Sequence, residues 1–197
     1  MKRLIALAAL AATAGAAHAN LVVNGSFEAN LQGANSWSIY PHLHGWTGAA
    51  RGIELRNNVA GAAFHGVNFV ELDTTGNSAI WQDIGTVVGG QYLLSFAYSA
   101  RPHTGNTNDI QVFWNNQLLT TLAGSNGTAS HQWQVYNFNV TGAGALTQLR
   151  FAAAGVSDSY GGSLDAVSVT AVPEPETYAL LLAGLAVVGS LARRRRG

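Results

Sequence analysis

Hydrophobic and polar residues alternate with a period of two through most of the chain's interior. In QYLLSFAYSA (91–100), every second residue from Tyr92 to Tyr98 is large and apolar, and the residues between them are smaller or polar, apart from one leucine. This alternation is typical of β-strands buried on one side. The same pattern recurs in NDIQVFWN (108–115), WQVYNFNV (133–140) and GSLDAVSVTA (162–171).

Clusters of Gly, Asn, Ser and Thr separate these runs, for example TTGNS (74–78), VVGG (87–90) and TGAGA (141–145). Such residues favour tight turns. No stretch between residues 20 and 171 shows a sustained helical period. Eight or more short strands with turns at near-regular spacing predict an all-β fold, an antiparallel sandwich or barrel. The length of 20–171 suits one such domain.

The first nineteen residues have the pattern of a signal peptide. Two basic residues begin the segment, an apolar run follows at 4–14, and Ala-His-Ala at 17–19 is a small-x-small cleavage site. These three features in this order are typical of secretory signals. We therefore expect an exported protein whose mature chain begins at Asn20.

The last segment, 172–197, combines Pro-Glu-Pro, an apolar run at 178–192 and four arginines. A helix over those fifteen apolar positions would be about 22 Å long, which is shorter than a bilayer core of roughly 30 Å. We therefore expect only a marginal membrane anchor. Arginines beside an apolar helix stay cytoplasmic, which puts the preceding domain on the other side. The candidate sorting residues are Pro173, Glu174, Pro175, Arg193, Arg194, Arg195 and Arg196.

This tail resembles the PEP-CTERM sorting signal of bacteria with an outer membrane. The resemblance covers 172–197 and implies recognition by exosortase, an integral-membrane cysteine protease that removes the helix. It also implies a transient inner-membrane anchor, followed by release to the cell surface or the extracellular matrix. The resemblance concerns where the protein goes and not what it does there.

Without its two terminal segments the chain is acidic. The whole chain has a formal net charge of +0, but 20–171 keeps four arginines, no lysine and eight carboxylates. Nucleic-acid binding depends on lysine and arginine that neutralise phosphates, so nucleic acid is not an expected partner. The chain has no cysteine. The exported domain must therefore rest on its core, or on a metal, without disulfides.

Two carboxylates near the ends of the domain are candidates for a metal site. Glu28 closes the motif LVVNGSFE, and Asp165 lies in the last strand run. Asp165 has the parity of Val167 and Val169, so we expect it to face the interior, where it needs a partner. If the first and last strands are neighbours, Glu28 and Asp165 could form an oxygen site that suits calcium. The alternative is that Glu28 caps a turn and Asp165 accepts backbone amides.

Short motifs spread over the domain resemble the galactose-binding-like jelly rolls, which include carbohydrate-binding modules of families 4 and 22 and the plant cell-wall family called domain of unknown function 642. The resemblance implies a jelly-roll β-sandwich, carbohydrate binding and a structural calcium at Glu28 and Asp165. The chain departs from the pattern because Ala166 replaces a commoner second aspartate, and because the cysteines of the plant proteins are missing. The motifs are NGSFE (24–28), HGWTG (44–48), NFVELD (68–73), IWQDIG (80–85), YLLSFAYSA (92–100) and LDAVSV (164–169).

Sugar rings stack on aromatic side chains, and most of the aromatic residues are expected to fill the core. Trp81 differs, because it has the opposite parity to Ile80 and Ile84 and lies beside a carboxylate. It is a candidate stacking platform, with the alternative that it packs between the two layers. The candidate ligand-binding residues are Trp81, Asp83, Tyr98 and Arg101.

Three functions fit these observations. The first is a non-catalytic module that binds a polysaccharide or exopolysaccharide at the cell surface or in the matrix, and this is the function we expect. The second is a structural or adhesive matrix protein that binds protein partners. The third is a small glycan-active enzyme, which needs two converging carboxylates. Carboxylates for such a pair are available at Glu54, Glu71, Asp73 and Asp83.

Overall fold

The computed structural model describes residues 19–105, 107–124, 128–173, 182–186, 188–189 and 193–194. Within that part of the chain, twelve β-strands make up the domain. They are β1 (Ser36–Tyr40), β2 (His42–Leu43), β3 (Trp46–Gly48), β4 (Ile53–Asn57), β5 (Asn68–Glu71), β6 (Ala79–Gly85), β7 (Gln91–Ser99), β8 (Ile110–Trp114), β9 (Gln117–Leu122), β10 (Gln134–Thr141), β11 (Leu146–Ala153) and β12 (Ser163–Ala171).

The strands form two six-stranded sheets. The front sheet has the order β1-β4-β5-β12-β7-β10, and the back sheet has the order β2-β3-β6-β11-β8-β9. Every strand pair in both sheets is antiparallel. Buried side chains from both sheets form one core between them. The predicted all-β antiparallel jelly-roll sandwich is therefore confirmed.

The core forms from the inward side chains of both sheets. In β7, the alternating aromatic and leucine residues from Tyr92 to Tyr98 are buried, as the sequence pattern predicts. Phe96 of the front sheet meets Phe151 of the back sheet edge-to-face, with ring centroids 5.0 Å apart. Burial of one such side chain stabilises the fold by about 1.5–3 kcal/mol. The alternating pattern thus supplies the contact that holds the two sheets together.

The first residues of the domain lie along β12. Leu21 N–H donates to the carbonyl of Val169 at 2.8 Å, and Val167 N–H donates to the carbonyl of Gly25 at 2.9 Å. A Cβ at Gly25 would lie 1.9 Å from the Val167 carbonyl oxygen, so the close approach requires glycine. Phe27 follows with a fully buried ring. The two ends of the domain are therefore neighbours.

A bulge in β12 reverses the orientation expected for Asp165. The register against β7 shifts between Asp165 and Ser168, and Ala166 has a positive φ of 49°. Leu164 is in the core, so Asp165 points to the outer side of the front sheet, where a loop covers it. An extra residue in a strand changes which face the flanking residues occupy. The expectation that Asp165 shares the inward face of Val167 is therefore wrong.

The terminal segments are described only in part. Residues 1–18 of the predicted signal peptide lie outside the described residues. Helical backbone occupies 182–186 and 188–189, inside the predicted helix 178–192, and also 193–194. No helix among the described residues has both the length and the apolar character needed to span a bilayer. Of the sorting residues, Pro173, Arg193 and Arg194 are described, whereas Glu174, Pro175, Arg195 and Arg196 are not.

Candidate functional site

Charged side chains lie on the outer face of the front sheet. In β4, Ile53 and Leu55 are fully buried in the core, so Glu54 and Arg56 between and after them point outward. Glu71 of β5 pairs with Glu54 across the strands. All three charged side chains are nevertheless buried. Because an unpaired buried charge is costly, each of them needs a partner.

Arg56 joins the two carboxylates. Its Nη2 lies 2.5 Å from Glu54 Oε1 and 3.2 Å from Glu71 Oε1. Arg101, in the loop after β7, places Nη1 3.0 Å from the same Glu71 oxygen. The amide of Gly161 donates to that oxygen at 3.2 Å. Two guanidinium groups thus compensate two carboxylates, and we call Glu54, Arg56, Glu71 and Arg101 the charged floor.

A cleft of about 270 Å³ lies over the charged floor, and we call it the front cleft. Trp37 of β1, directly across from Arg56 in the strand register, lines the cleft and is 52% exposed. Tyr160, in the loop before β12, also lines it and is 46% exposed. The guanidinium carbon of Arg101 lies 4.3 Å from the Tyr160 ring centroid. Two exposed aromatic rings and a charged floor therefore meet in one concave site.

The front cleft adjoins a larger depression of about 690 Å³. The two cavities share Arg101, Asp158 and Tyr160, and the larger one extends to His103 and Thr104. Their combined size is in the range of small-molecule sites in proteins, which is about 300–1,000 Å³. The joint space is large enough for a ligand of more than one sugar ring.

The electrostatics of the floor are unusual for surface carboxylates. Burial raises the pKa of Glu71 to about 7, although Arg56 and Arg101 oppose the shift. Burial also raises the pKa of Glu54, against the attraction of Arg56. Perturbed carboxylates in a cleft are often functional. Of the two, only Glu54 lines the front cleft, beside the guanidinium groups of Arg56 and Arg101.

The structure separates Tyr98 from Arg101. Tyr98 is 4% exposed and faces the core, where its hydroxyl donates to the carbonyl of Asn108 at 2.7 Å. Burial raises the pKa of Tyr98 well above its usual range. The prediction that Tyr98 binds a ligand is therefore wrong, because Tyr98 is a core residue that a ligand cannot reach. Arg101 does line the cleft.

Trp81 and Asp83 lie on the outer face of the back sheet. Ile80 is fully buried, which agrees with the parity argument that Trp81 points away from the core. Trp81 is half-buried beside Arg150, its partner in β11. Because Arg101 belongs to the site on the front sheet, the four predicted ligand residues do not form one site. Trp81 as a stacking platform stays a prediction.

Glu28 and Asp165 both hold the segment 64–68, which precedes and enters β5. Burial raises the pKa of Asp165 to about 6. This geometry matches the alternative in which the carboxylates accept backbone amides. Among the described residues, no group of three His, Cys, Asp or Glu side chains is arranged to hold a metal. The contacts are Glu28 Oε1 with the amides of Val67 (2.9 Å) and Asn68 (2.7 Å), and Asp165 Oδ2 with those of Phe64 (2.9 Å) and His65 (2.8 Å).

Calcium at Glu28 and Asp165 thus stays a prediction that the resemblance implies. The two side chains supply oxygens of the right type. One oxygen of each, however, already accepts two amide hydrogens. In the described part of the chain, no third His, Cys, Asp or Glu side chain joins them.

His131 fastens a loop over the neighbouring part of the front sheet. Its Nδ1 lies 3.0 Å from the carbonyl of Ala62, and its Nε2 lies 3.1 Å from Ser163 Oγ. Burial lowers the pKa of His131 to about 4. Ser163 is fully buried, and the second ring nitrogen meets a carbonyl instead of a carboxylate. This Ser–His pair therefore lacks the access and the orienting acid that nucleophilic catalysis uses.

Sequence reasoning missed most of the front cleft. The charges of Glu54 and Arg56 inside the apolar strand IELRN (53–57) were a usable signal, because they share one face while the flanking residues share the other. Trp37 and Tyr160 gave no such signal, since only strand pairing and loop placement bring them to the same rim.

Comparison with known families identifies the tail. Residues 171–196 match the model of the PEP-CTERM protein-sorting motif. The prediction of a C-terminal sorting signal of this type is therefore confirmed, and the motif indicates an exported protein.

Two curated relatives match most of the chain. The chain is 28% identical over 166 residues to a multifunctional-autoprocessing repeats-in-toxin protein of Vibrio cholerae, which is 82% of the chain and 3% of that protein. It is 32% identical over 149 residues to the corresponding protein of Vibrio vulnificus, which is 75% of the chain and 3% of that protein. The chain thus spans 3% of the length of these relatives.

Solved structures share the fold. TmCBM61, determined with β-1,4-galactotriose, matches with a TM-score of 0.54 and 15% identity over 78% of this chain and 99% of that chain. A family 16 carbohydrate-binding module matches with a TM-score of 0.51 and 15% identity over 77% and 99%. An arabinose-bound α-L-arabinofuranosidase matches with a TM-score of 0.55 and 11% identity over 81% of this chain and 27% of the enzyme. The domain therefore has the galactose-binding-like jelly-roll fold of carbohydrate-binding modules.

Proposed function

We propose that the mature protein is an exported, non-catalytic carbohydrate-binding protein that holds a polysaccharide or exopolysaccharide in the front cleft. The observation that carries this proposal is the position of two half-exposed rings, Trp37 and Tyr160, at the rim of a cleft with a charged floor. The shared fold of carbohydrate-binding modules supports it.

The side chains of the cleft suit a sugar polymer. Trp37 and Tyr160 offer apolar ring faces to the C–H side of a pyranose. Arg101, with 18% of its side chain exposed, is the floor residue nearest to solvent and is the expected donor to a hydroxyl. The two guanidinium groups of the floor balance its two carboxylates. The exposed Asp158 adds a carboxylate to the lining, so a neutral polysaccharide fits better than an acidic one.

The carboxylates support binding instead of hydrolysis. A glycosidase needs two carboxyl groups that reach the scissile bond. Glu71 is fully buried and bonds to both Arg56 and Arg101. It is therefore not positioned to protonate a leaving group. Glu54 lines the cleft but is buried against Arg56, which leaves the exposed Asp158 as the one lining carboxylate of the described residues that is open to a ligand, and one carboxylate does not provide the pair.

The sorting signal supports delivery by exosortase to the cell surface or the extracellular matrix of a bacterium with an outer membrane. The apolar helix serves as a transient inner-membrane anchor before cleavage. Pro173 comes two residues after the end of β12, so the Pro-Glu-Pro motif begins where the folded domain ends. A protease can then reach the motif without unfolding the sandwich.

A glycan-array screen of the exported protein tests the proposal. We expect retention on one or a few neutral polysaccharides, at least tenfold weaker retention for Trp37→Ala, and little change for Trp81→Ala. Equal melting temperatures of the three proteins would exclude a folding defect. If Trp81→Ala alone loses binding, the site is on the back sheet.

The structural or adhesive function is the other outcome of this screen. A protein that binds no glycan on the array but stays with the isolated matrix after glycan digestion would be a matrix protein with protein partners. Release of reducing sugar from any bound polymer would instead favour the glycan-active enzyme.

A further inference from the structure

The turn at residues 72–78 joins β5 to β6 and borders the front cleft through Thr74. Asp73 and Asn77 face each other in this turn as an isolated antiparallel bridge. Directly opposed residues in such a bridge point their side chains to the same side, with Cβ atoms typically about 4.5–5.5 Å apart. The side chains of Asp73 and Asn77 therefore share one space.

Asp73 is fully buried, and only one of its carboxylate oxygens is used. Oδ2 accepts the amides of Asp158 at 2.9 Å and Ser159 at 3.0 Å. Oδ1 is buried and has no hydrogen-bond partner in the described part of the chain. A buried polar atom without a partner destabilises a fold, and more so when it is charged. A bound cation or hydrogen-bond donor at this oxygen would therefore stabilise the fold.

Asn77 presents a second oxygen of the same kind. Its Nδ2 donates to the carbonyl of Gly155 at 2.8 Å, and its backbone amide donates to Ser157 Oγ at 2.9 Å. Its Oδ1 is buried and, within the described residues, has no partner. The bond to Gly155 holds the amide in the orientation that leaves Oδ1 without a donor. Each of these two opposed side chains thus keeps one buried acceptor oxygen for which the described chain supplies no donor.

We propose that Asp73 Oδ1 and Asn77 Oδ1 bind one calcium ion. Carboxylate and amide oxygens are the ligands that calcium prefers, and it takes six to eight oxygens, often including backbone carbonyls and water. Two side-chain oxygens make a sparse site, so we expect a dissociation constant of about 0.1–1 mM, the range of extracellular modules. The site uses neither Glu28 nor Asp165 and does not depend on the resemblance.

The position of this site links it to the front cleft. Asp73 Oδ2 holds the amides of Asp158 and Ser159, directly before Tyr160 at the rim. A calcium ion on Oδ1 fixes Asp73 and through it this segment. Calcium should therefore tighten glycan binding as well as stabilise the fold. This consequence rests on the proposed function, whereas calcium binding does not.

Calorimetric titration of the metal-free exported protein with calcium chloride, without glycan, tests the site. We expect binding in the stated range and a melting temperature about 5 °C higher in 10 mM calcium. Asp73→Asn should remain folded and lose this binding event. Its amide can accept the two backbone N–H groups with its oxygen and donate to Asn77 with its nitrogen, so no acceptor is left unpaired. Asp165→Asn and Glu28→Gln are matched controls that should keep the event.

The variant Asn77→Asp distinguishes a site that binds calcium from a site that holds a buried water. With calcium, a second carboxylate should tighten binding roughly tenfold, since affinity rises with the charge of the ligands. Without calcium, two opposed carboxylates repel each other, so the variant should melt below the wild type. A water that bridges the two oxygens predicts that calcium does not restore Asn77→Asp. Absence of binding up to 10 mM, or binding that Asp73→Asn leaves unchanged, would overturn the proposal.

Discussion

Arg56 and Glu71 form a buried ion pair on the outer face of the front sheet, with Nη2 3.2 Å from Oε1 and side-chain exposures of 4% and 0%. Glu54 binds the same guanidinium nitrogen, and Arg101 binds the same carboxylate oxygen. Such a pair adds little stability over well-packed apolar residues, but the loss of one partner leaves a buried charge uncompensated. The four residues therefore depend on one another.

Replacement of Arg56 should be far more destabilising than replacement of Arg101. Arg56→Ala leaves two buried carboxylates with reduced compensation and should lower the free energy of unfolding by about 3–5 kcal/mol. Arg101→Ala removes a partly exposed partner and should lower the free energy of unfolding by only about 1–2 kcal/mol. Because Arg101 lines the cleft, the same change should weaken glycan retention more than it weakens the fold. Urea unfolding of both variants measures the difference. Equal losses would mean that the pair does not organise the floor.

The sandwich itself could be predicted from the sequence because its signals are local. The alternation from Tyr92 to Tyr98 is a property of one strand, and it remains correct whatever the strand pairs with. The prediction failed at Asp165, where the bulge at Ala166 changes the parity within a single strand. A bulge of this kind depends on the pairing with β7, which the sequence does not display.

The front cleft could not be predicted because its parts meet only through non-local pairing. Glu54 and Glu71 become neighbours when β4 pairs with β5, and Trp37 reaches Arg56 when β1 pairs with β4. Tyr160 comes from a loop whose position is set by contacts to Asp73. Composition shows that carboxylates and aromatic residues are present, but not that they converge.

The raised pKa of Glu71 predicts that the free energy of unfolding changes between pH 4.5 and about 7. Burial raises its pKa from 4.5 to about 7, so the folded protein keeps a proton that the unfolded chain releases. This contribution is fully present below pH 4.5 and is lost as the pH rises through about 7, with a size of about 3 kcal/mol. Glu71→Gln should flatten this part of the profile in urea midpoints measured at constant ionic strength.

His131 makes the free energy of unfolding change with pH in the opposite direction. Burial lowers its pKa from 6.5 to about 4, so its contribution is present above pH 6.5 and is lost as the pH falls through about 4. Asp165, whose pKa burial raises from 3.8 to about 6, acts in the same direction as Glu71. His131→Asn should therefore make the fall of stability with rising pH steeper between pH 4 and 6.5. Identical profiles for the wild type and Glu71→Gln would contradict the assignment to Glu71.

Asp165→Ala should lower the free energy of unfolding by about 1–3 kcal/mol, because the amides of Phe64 and His65 lose their acceptor. Melting curves with and without chelator in the Asp73→Asn background decide whether calcium also acts there. If calcium joins Glu28 and Asp165, chelator lowers the melting temperature of Asp73→Asn, and the further change Asp165→Ala removes that response. No effect of chelator in Asp73→Asn would leave amide binding as the role of Asp165.

The released protein should lack residues 178–197. The match to the sorting motif spans 171–196, and if the predicted apolar helix anchors the chain in the inner membrane, cutting behind the motif is what releases the domain. The intact mass of the surface or secreted form measures this, and a mass that includes the four arginines would contradict it. Glu174→Ala changes the Pro-Glu-Pro motif and should leave the uncut form in the inner-membrane fraction. Glu176→Ala removes the same charge two residues later, outside the motif, and should be processed like the wild type, which separates recognition of the motif from a general effect of charge.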